Sequence, residues 1–187
     1  MAIKVFFVSF FFAVVTEITG QHVAFFKEDI TFKIEGDNFY VNGIYYLKCS
    51  QNSDSSIALF YPFPTDSIYS KPDSLFIFNL TTDEVITSYL KQDGGVVFNA
   101  DLDSVTAILV SYRQQFLSGE ARYILTTTQY WGKAIEVATY KLILNSKTRI
   151  KAFSYPPDSY SIFGETMVYY WEKKNFMPLK DMIFTFY

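Results

Sequence analysis

With 187 residues, one cysteine, one histidine and a net charge of −3, the chain is long enough to bury one hydrophobic core and cannot close a disulfide within itself. Its mild acidity excludes the basic field on which nucleic-acid binding rests. One fifth of the residues are Phe, Tyr or Trp, 15 of them Tyr, a composition that favours strands.

The chain opens on a short positive segment ending at Lys4, followed by the apolar stretch VFFVSFFFAVV at residues 5–15. A helix that spans a bilayer needs about 20 apolar residues, so this stretch has the length of a signal-peptide core and falls short of an anchor. Residues 16–21 turn polar, and Gly20 supplies the small residue that cleavage requires. The expected organisation is a signal peptide at residues 1–20 and a single domain at residues 21–187. The expected location is secreted or periplasmic.

Beyond the leader, Ile30, Phe32 and Ile34 alternate with Thr31, Lys33 and Glu35, the period of a half-buried strand. Residues 39–49 are apolar around Asn42-Gly43, a pair that predicts a tight hairpin turn between two short strands. Cys49 ends that run and is expected to be buried as a small hydrophobe. Further strands are predicted at 56–61, 74–80, 84–90, 96–99, 105–113, 121–128, 135–144, 148–153, 166–171 and 182–187. Turn residues separate most of them, among them Pro62, Pro64, Pro72, Gly94-Gly95 and Pro156-Pro157. The segment from Val105 to Arg113 is ambiguous, because Val105, Ile108, Leu109, Tyr112 and Phe116 also fall on a helical stripe. Its Val, Thr and Ile content and two apolar faces favour a central strand. The predicted fold is all-β: an antiparallel β-sandwich of roughly ten short strands.

Three phrases carry a resemblance. Tyr61-Pro62-Phe63-Pro64 follows the early strands, Tyr123-Ile124-Leu125-Thr126-Thr127 precedes Tyr130-Trp131-Gly132, and Asn175-Phe176-Met177-Pro178 precedes the last strand. Together they resemble secreted bacterial β-sandwich domains of unknown function, in which a Tyr-x-Leu-Thr-Thr strand runs into a Trp turn. The resemblance implies a sandwich and carries over no functional residue.

Enzyme chemistry has little to stand on. His22 is the only histidine and lies beside the expected new terminus, so Ser-His-Asp and Cys-His catalysis lack a positioned base. Zinc sites need His and Cys in groups, and no phosphate-binding glycine loop is present. No catalytic residue, cofactor or metal site is predicted. A carboxylate glycoside hydrolase would have to draw on Asp101, Asp103, Glu120, Glu136 or Glu165, and Asp101 with Asp103 is too small a fragment for calcium. Asn79-Leu80-Thr81 has the form of a glycosylation acceptor but falls at a strand end.

What remains is binding. The expected function is an exported non-catalytic module that contacts a protein or cell-surface polymer, with Tyr130 and Trp131 as the contact residues, because a turn displays large aromatic area at low entropic cost. The structural role weighs more for Trp131 itself: the ring is expected to fold back and plug one end of the core, so that Trp131→Ala costs roughly 3 to 5 kcal/mol. The alternatives are a small outer-membrane β-barrel and a lectin-like carbohydrate binder. Against the barrel, residues 75–78 and 107–110 are apolar on both faces, whereas a barrel strand alternates over about 9 to 11 residues. No nucleic-acid partner and no membrane span after cleavage are expected.

Overall fold

A computed structural model describes residues 23–49, 55–66, 68–117 and 119–187. The expected signal peptide, its cleavage point and His22 lie outside the described residues. The fold is all-β, as the composition requires, and its organisation begins with one long hairpin. Strands β1 (Val23–Glu35) and β2 (Asn38–Cys49) pair from Val23–Cys49 to Glu35–Asn38. The turn is Gly36-Asp37, with Gly36 at φ 57°, the first central position that a type II′ turn reserves for glycine. The turn expected at Asn42-Gly43 does not form, and β2 runs straight through it. Gly43 serves a different purpose there: the ring of Tyr45 lies back over it and occupies the space a Cβ would need.

Twelve further strands follow among the described residues: β3 (Ser55–Pro62), β4 (Ser74–Asn79), β5 (Glu84–Val85), β6 (Tyr89–Gln92), β7 (Gly95–Leu102), β8 (Val105–Gln115), β9 (Glu120–Tyr123), β10 (Ile135–Asn145), β11 (Ile150–Phe153), β12 (Ser159–Phe163), β13 (Thr166–Phe176) and β14 (Met182–Phe186). The ambiguous segment is strand β8, buried on alternate residues from Thr106 to Gln114. Fourteen strands replace the ten expected, partly because residues 84–90 split. β5 pairs with β4 in one sheet, whereas β6 pairs with β7 in another. Residues 121–128 also divide, into β9 and a 3₁₀ turn at Thr126–Trp131.

Eight strands form one sheet in the order β12-β13-β10-β1-β2-β8-β4-β5. The expected wholly antiparallel arrangement fails at one place, where β1 and β10 pair in parallel from Lys27–Val137 to Lys33–Ile143. A parallel pair needs a long crossover, and the chain from β3 to β9 provides it, a pairing that no local residue pattern announces. Two three-stranded sheets, β11-β14-β9 and β3-β7-β6, cover one face of the large sheet. Phe32 and Phe39 meet Phe184 of the first at 5.3 and 6.1 Å, and Tyr45 and Tyr112 meet Tyr61 of the second at 5.6 and 6.0 Å. The sheets stay open, with β12 and β5 as edges of the largest, so the described residues do not close into the alternative barrel. No helix among them is long and apolar enough to cross a membrane.

Among the described residues no sheet covers the opposite face of the large sheet. Phe76 and Phe78 stack on it at 6.0 Å with Phe76 45% exposed, so the doubly apolar run 75–78 is buried on one side only. Cys49 is buried as expected.

Candidate binding site

The inner face of β1 should follow the even positions Ile30, Phe32 and Ile34, and carrying the alternation back two residues places Glu28 inside. A β-bulge between Phe25 and Lys27 then shifts the register, so that Phe25 joins Glu28 on the buried face instead of pointing away. Bulges re-aim side chains in this way. Here the result is a carboxyl group that is 2% exposed beside an aromatic ring, at the seam where the three sheets meet.

A cavity of about 90 Å³ occupies that seam. Phe25 and Glu28 reach it from β1, Tyr45 and Leu47 from β2, Tyr61 from β3 and Tyr123 from β9. Half-exposed Leu59, Pro62, Ile124, Thr127 and Trp131 form its rim. Among the described residues no lysine, arginine or histidine lines it.

The polar atoms of the seam form two connected groups. The hydroxyl of Tyr45 is shared between those of Tyr61 at 2.7 Å and Tyr123 at 2.8 Å, so one side chain of the large sheet ties together both small sheets. The Tyr140 hydroxyl donates to Glu28 Oε1. Burial raises the Glu28 carboxyl from its ordinary range to about 7; the Tyr140 bond works against that rise, and the charge of Asp29 adds to it. Burial also lifts the hydroxyls of Tyr45, Tyr61, Tyr123 and Tyr140 well above their usual range, and the Glu28 charge is the next contributor for Tyr45 and Tyr140. All four therefore remain neutral phenols that can donate or accept.

The rim is held by a separate set of bonds. Asp181 Oδ1 accepts from the backbone N–H groups of Leu125 and Thr126 and from the Thr126 hydroxyl, at 3.1, 3.2 and 2.9 Å. Gln129 Nε2 donates to the carbonyl of Pro178 at 2.7 Å, and Gly132 closes the turn at φ 68°. The segment before the last strand thus fixes the Trp-bearing turn. Trp131 is half-buried on the rim, its ring 5.9 Å from that of Phe25, and Tyr130 beside it is 70% exposed.

The carboxylates considered for hydrolysis do not converge on this seam. Glu120 accepts from Tyr69 and Arg122, Glu165 pairs with Lys147, and Asp103 caps Ser104. No group of three or more His, Cys, Asp or Glu residues suited to a metal occurs among the described residues. Asn79 is 2% exposed, donates to the Asp101 carbonyl and accepts from Thr81 and Thr82, which makes it a strand-end cap.

No protein-family model matches the chain, and no curated protein does. Among solved structures it is similar to a proposed nutrient-binding protein from Legionella pneumophila, at 16% identity and a TM-score of 0.67 over 89% of this chain and 67% of that one. It is also similar to an M1 zinc metallopeptidase from Deinococcus radiodurans, at 6% identity and a TM-score of 0.53, and to a variant of that enzyme with a Tyr-Ser-Ala substrate bound, at 7% and 0.54. The chain covers 42% of each metallopeptidase chain. At these identities the likeness is one of fold.

Proposed function

We propose that the protein is an exported, non-catalytic binding module, secreted or periplasmic, whose ligand site is the cavity at the three-sheet seam. The observation that carries this reading is the cavity itself, an apolar, aromatic-lined pocket with a few convergent polar groups, the usual form of a small-ligand site. The nutrient-binding role proposed for the Legionella protein supports it in kind. At about 90 Å³ the cavity is smaller than the space of about 150 Å³ that admits benzene, so it takes one side group of a larger ligand. Exposed Tyr130, next to the rim, meets the rest of that ligand, which is consistent with a protein or a surface polymer.

Trp131 reports occupancy. Trp171, the other tryptophan, is 2% exposed and donates to the Tyr155 carbonyl, so iodide quenching reads Trp131 selectively. Millimolar butylammonium, 1-butanol, butyrate and propionamide represent the side groups that proteins and polymers carry. At least one should protect Trp131 from iodide and raise the melting temperature. If all four leave both unchanged, the seam is structural packing and the reading fails.

A further inference from the structure

We infer, resting on the reading of the seam as the ligand site, that the group it accepts is an aliphatic ammonium, as on a lysine side chain of a partner protein. Three features of the seam converge on that chemistry. The first is charge: Glu28 is buried on the cavity wall, and among the described residues no basic side chain lines the cavity. A carboxylate removed from water is costly unless a cation meets it, and none of the described residues lining the cavity supplies one. The second is the wall. The rings of Phe25, Tyr45 and Trp131 line the cavity, aromatic surface of the kind that attracts a cation, while the hydroxyls of Tyr45, Tyr61 and Tyr123 offer lone pairs to an ammonium that brings three donors and no acceptor. The third is size, since about 90 Å³ suits an ammonium with a short methylene stem and is too small for an aromatic ring.

Glu28 responds to such a guest through its proton. The titratable groups facing it are Tyr45 from β2, Tyr61 from β3, Tyr123 from β9 and Tyr140 from β10, all phenols at neutral pH, together with the charge of Asp29 on its own strand. Below pH 7 the carboxyl is mostly protonated in the empty protein, so an entering ammonium expels that proton to solvent.

The test compares butylammonium with its neutral isostere 1-butanol, both followed by iodide protection of Trp131 at pH 8. The expected result is that wild type binds the ammonium about tenfold or more tightly, the worth of one charge-assisted hydrogen bond. Glu28→Gln should lose that preference, so that it binds butylammonium no more tightly than butanol. In wild type at pH 6, calorimetry in two buffers of different ionisation enthalpy should reveal proton release on ammonium binding, which needs no variant to fold. Equal or tighter binding of butanol overturns the ammonium assignment and leaves the seam a ligand site. If neither probe binds, the ammonium assignment falls, and the site reading falls with it only when the two remaining probes also leave Trp131 unprotected. N-acetyl-lysine-N-methylamide binding at least as tightly as butylammonium supports a lysine side chain as the source. Exclusion of the amide while butylammonium binds overturns that source in favour of a free amine.

Discussion

Replacing Glu28 by Gln removes a buried charge and keeps the shape and the acceptor that Tyr140 uses, so it isolates the electrostatics of the seam. An ordinary glutamate releases its proton near pH 4.5, whereas the folded protein holds this one to about 7. Between those values the folded state keeps a proton that the unfolded chain gives up. Stability therefore falls as pH rises from about 4.5 through 7 and levels off above it, the reverse of an ion-paired carboxylate. A difference of 2.5 pH units corresponds to roughly 3 kcal/mol at pH 8, and to roughly 1 kcal/mol or less at pH 5, where the folded carboxyl is still neutral. Glu28→Gln carries no such pH-dependent penalty. Urea titrations of both proteins at pH 5 and pH 8 should show the variant gaining on wild type by roughly 2 kcal/mol between the two conditions, with equal slopes. Every other titrating group is common to both proteins and cancels. If the two midpoints keep a constant separation across that range, Glu28 is ionised in the folded state at pH 5, and the account of an unpaired buried carboxyl is wrong.

Trp131→Ala should cost roughly 1 to 2 kcal/mol, less than the 3 to 5 kcal/mol expected of a core plug, because the ring is only partly buried where it packs against the core beside Phe25; a denaturant titration measures it. Gly43→Ala should destabilise by roughly 1 to 3 kcal/mol, since the new methyl displaces a Tyr45 ring that two hydroxyl bonds hold in place. The same variant should lose binding at the seam, which the iodide assay reads. Intact mass of the protein recovered from an exporting host should begin within about three residues of Gln21, as a short apolar core followed by a small residue directs. Retention of residues 5–15 would exclude export by this route.

Strand positions were legible wherever a local rule governs them. Alternation at Ile30, Phe32 and Ile34 marks β1, and the β-branched content of 105–113 separates β8 from a helix. Where two local rules compete, tertiary space decides: Asn42-Gly43 has the stronger turn chemistry, yet Gly36 takes the turn because β2 needs Gly43 to seat the Tyr45 ring. The parallel pairing of β1 with β10 joins residues about 110 positions apart, and neither strand differs in composition from an antiparallel one. At the rim, the turn that carries Tyr130 and Trp131 could be read from Gly132. Glu28 could have been found as well, since it falls on the apolar face when the period of β1 is extended, and an acid in an apolar phase is the informative exception. Tyr45, Tyr61 and Tyr123 could not. They come from three sheets, and nothing in fifteen tyrosines distinguishes the three whose hydroxyls meet.

The same geometry explains why a cavity arises at this place in the fold. A large sheet covered by one matching sheet would interdigitate along its whole inner face and leave no gap. Two small sheets side by side must leave a seam between them, and β1 and β2 run beneath it. An apolar seam would collapse or be filled. Here the hydroxyls that bridge the sheets and the carboxyl turned inward beside the bulge place polar atoms within it, and these favour a polar guest over closure. The Trp turn at its rim is fixed from outside by Asp181 and Gln129, so Trp131 is held at the entrance without being drawn into the core. A buried acid without a counter-charge lowers the stability of the empty protein above pH 7, and a cationic guest that supplies the missing charge would return that stability as affinity.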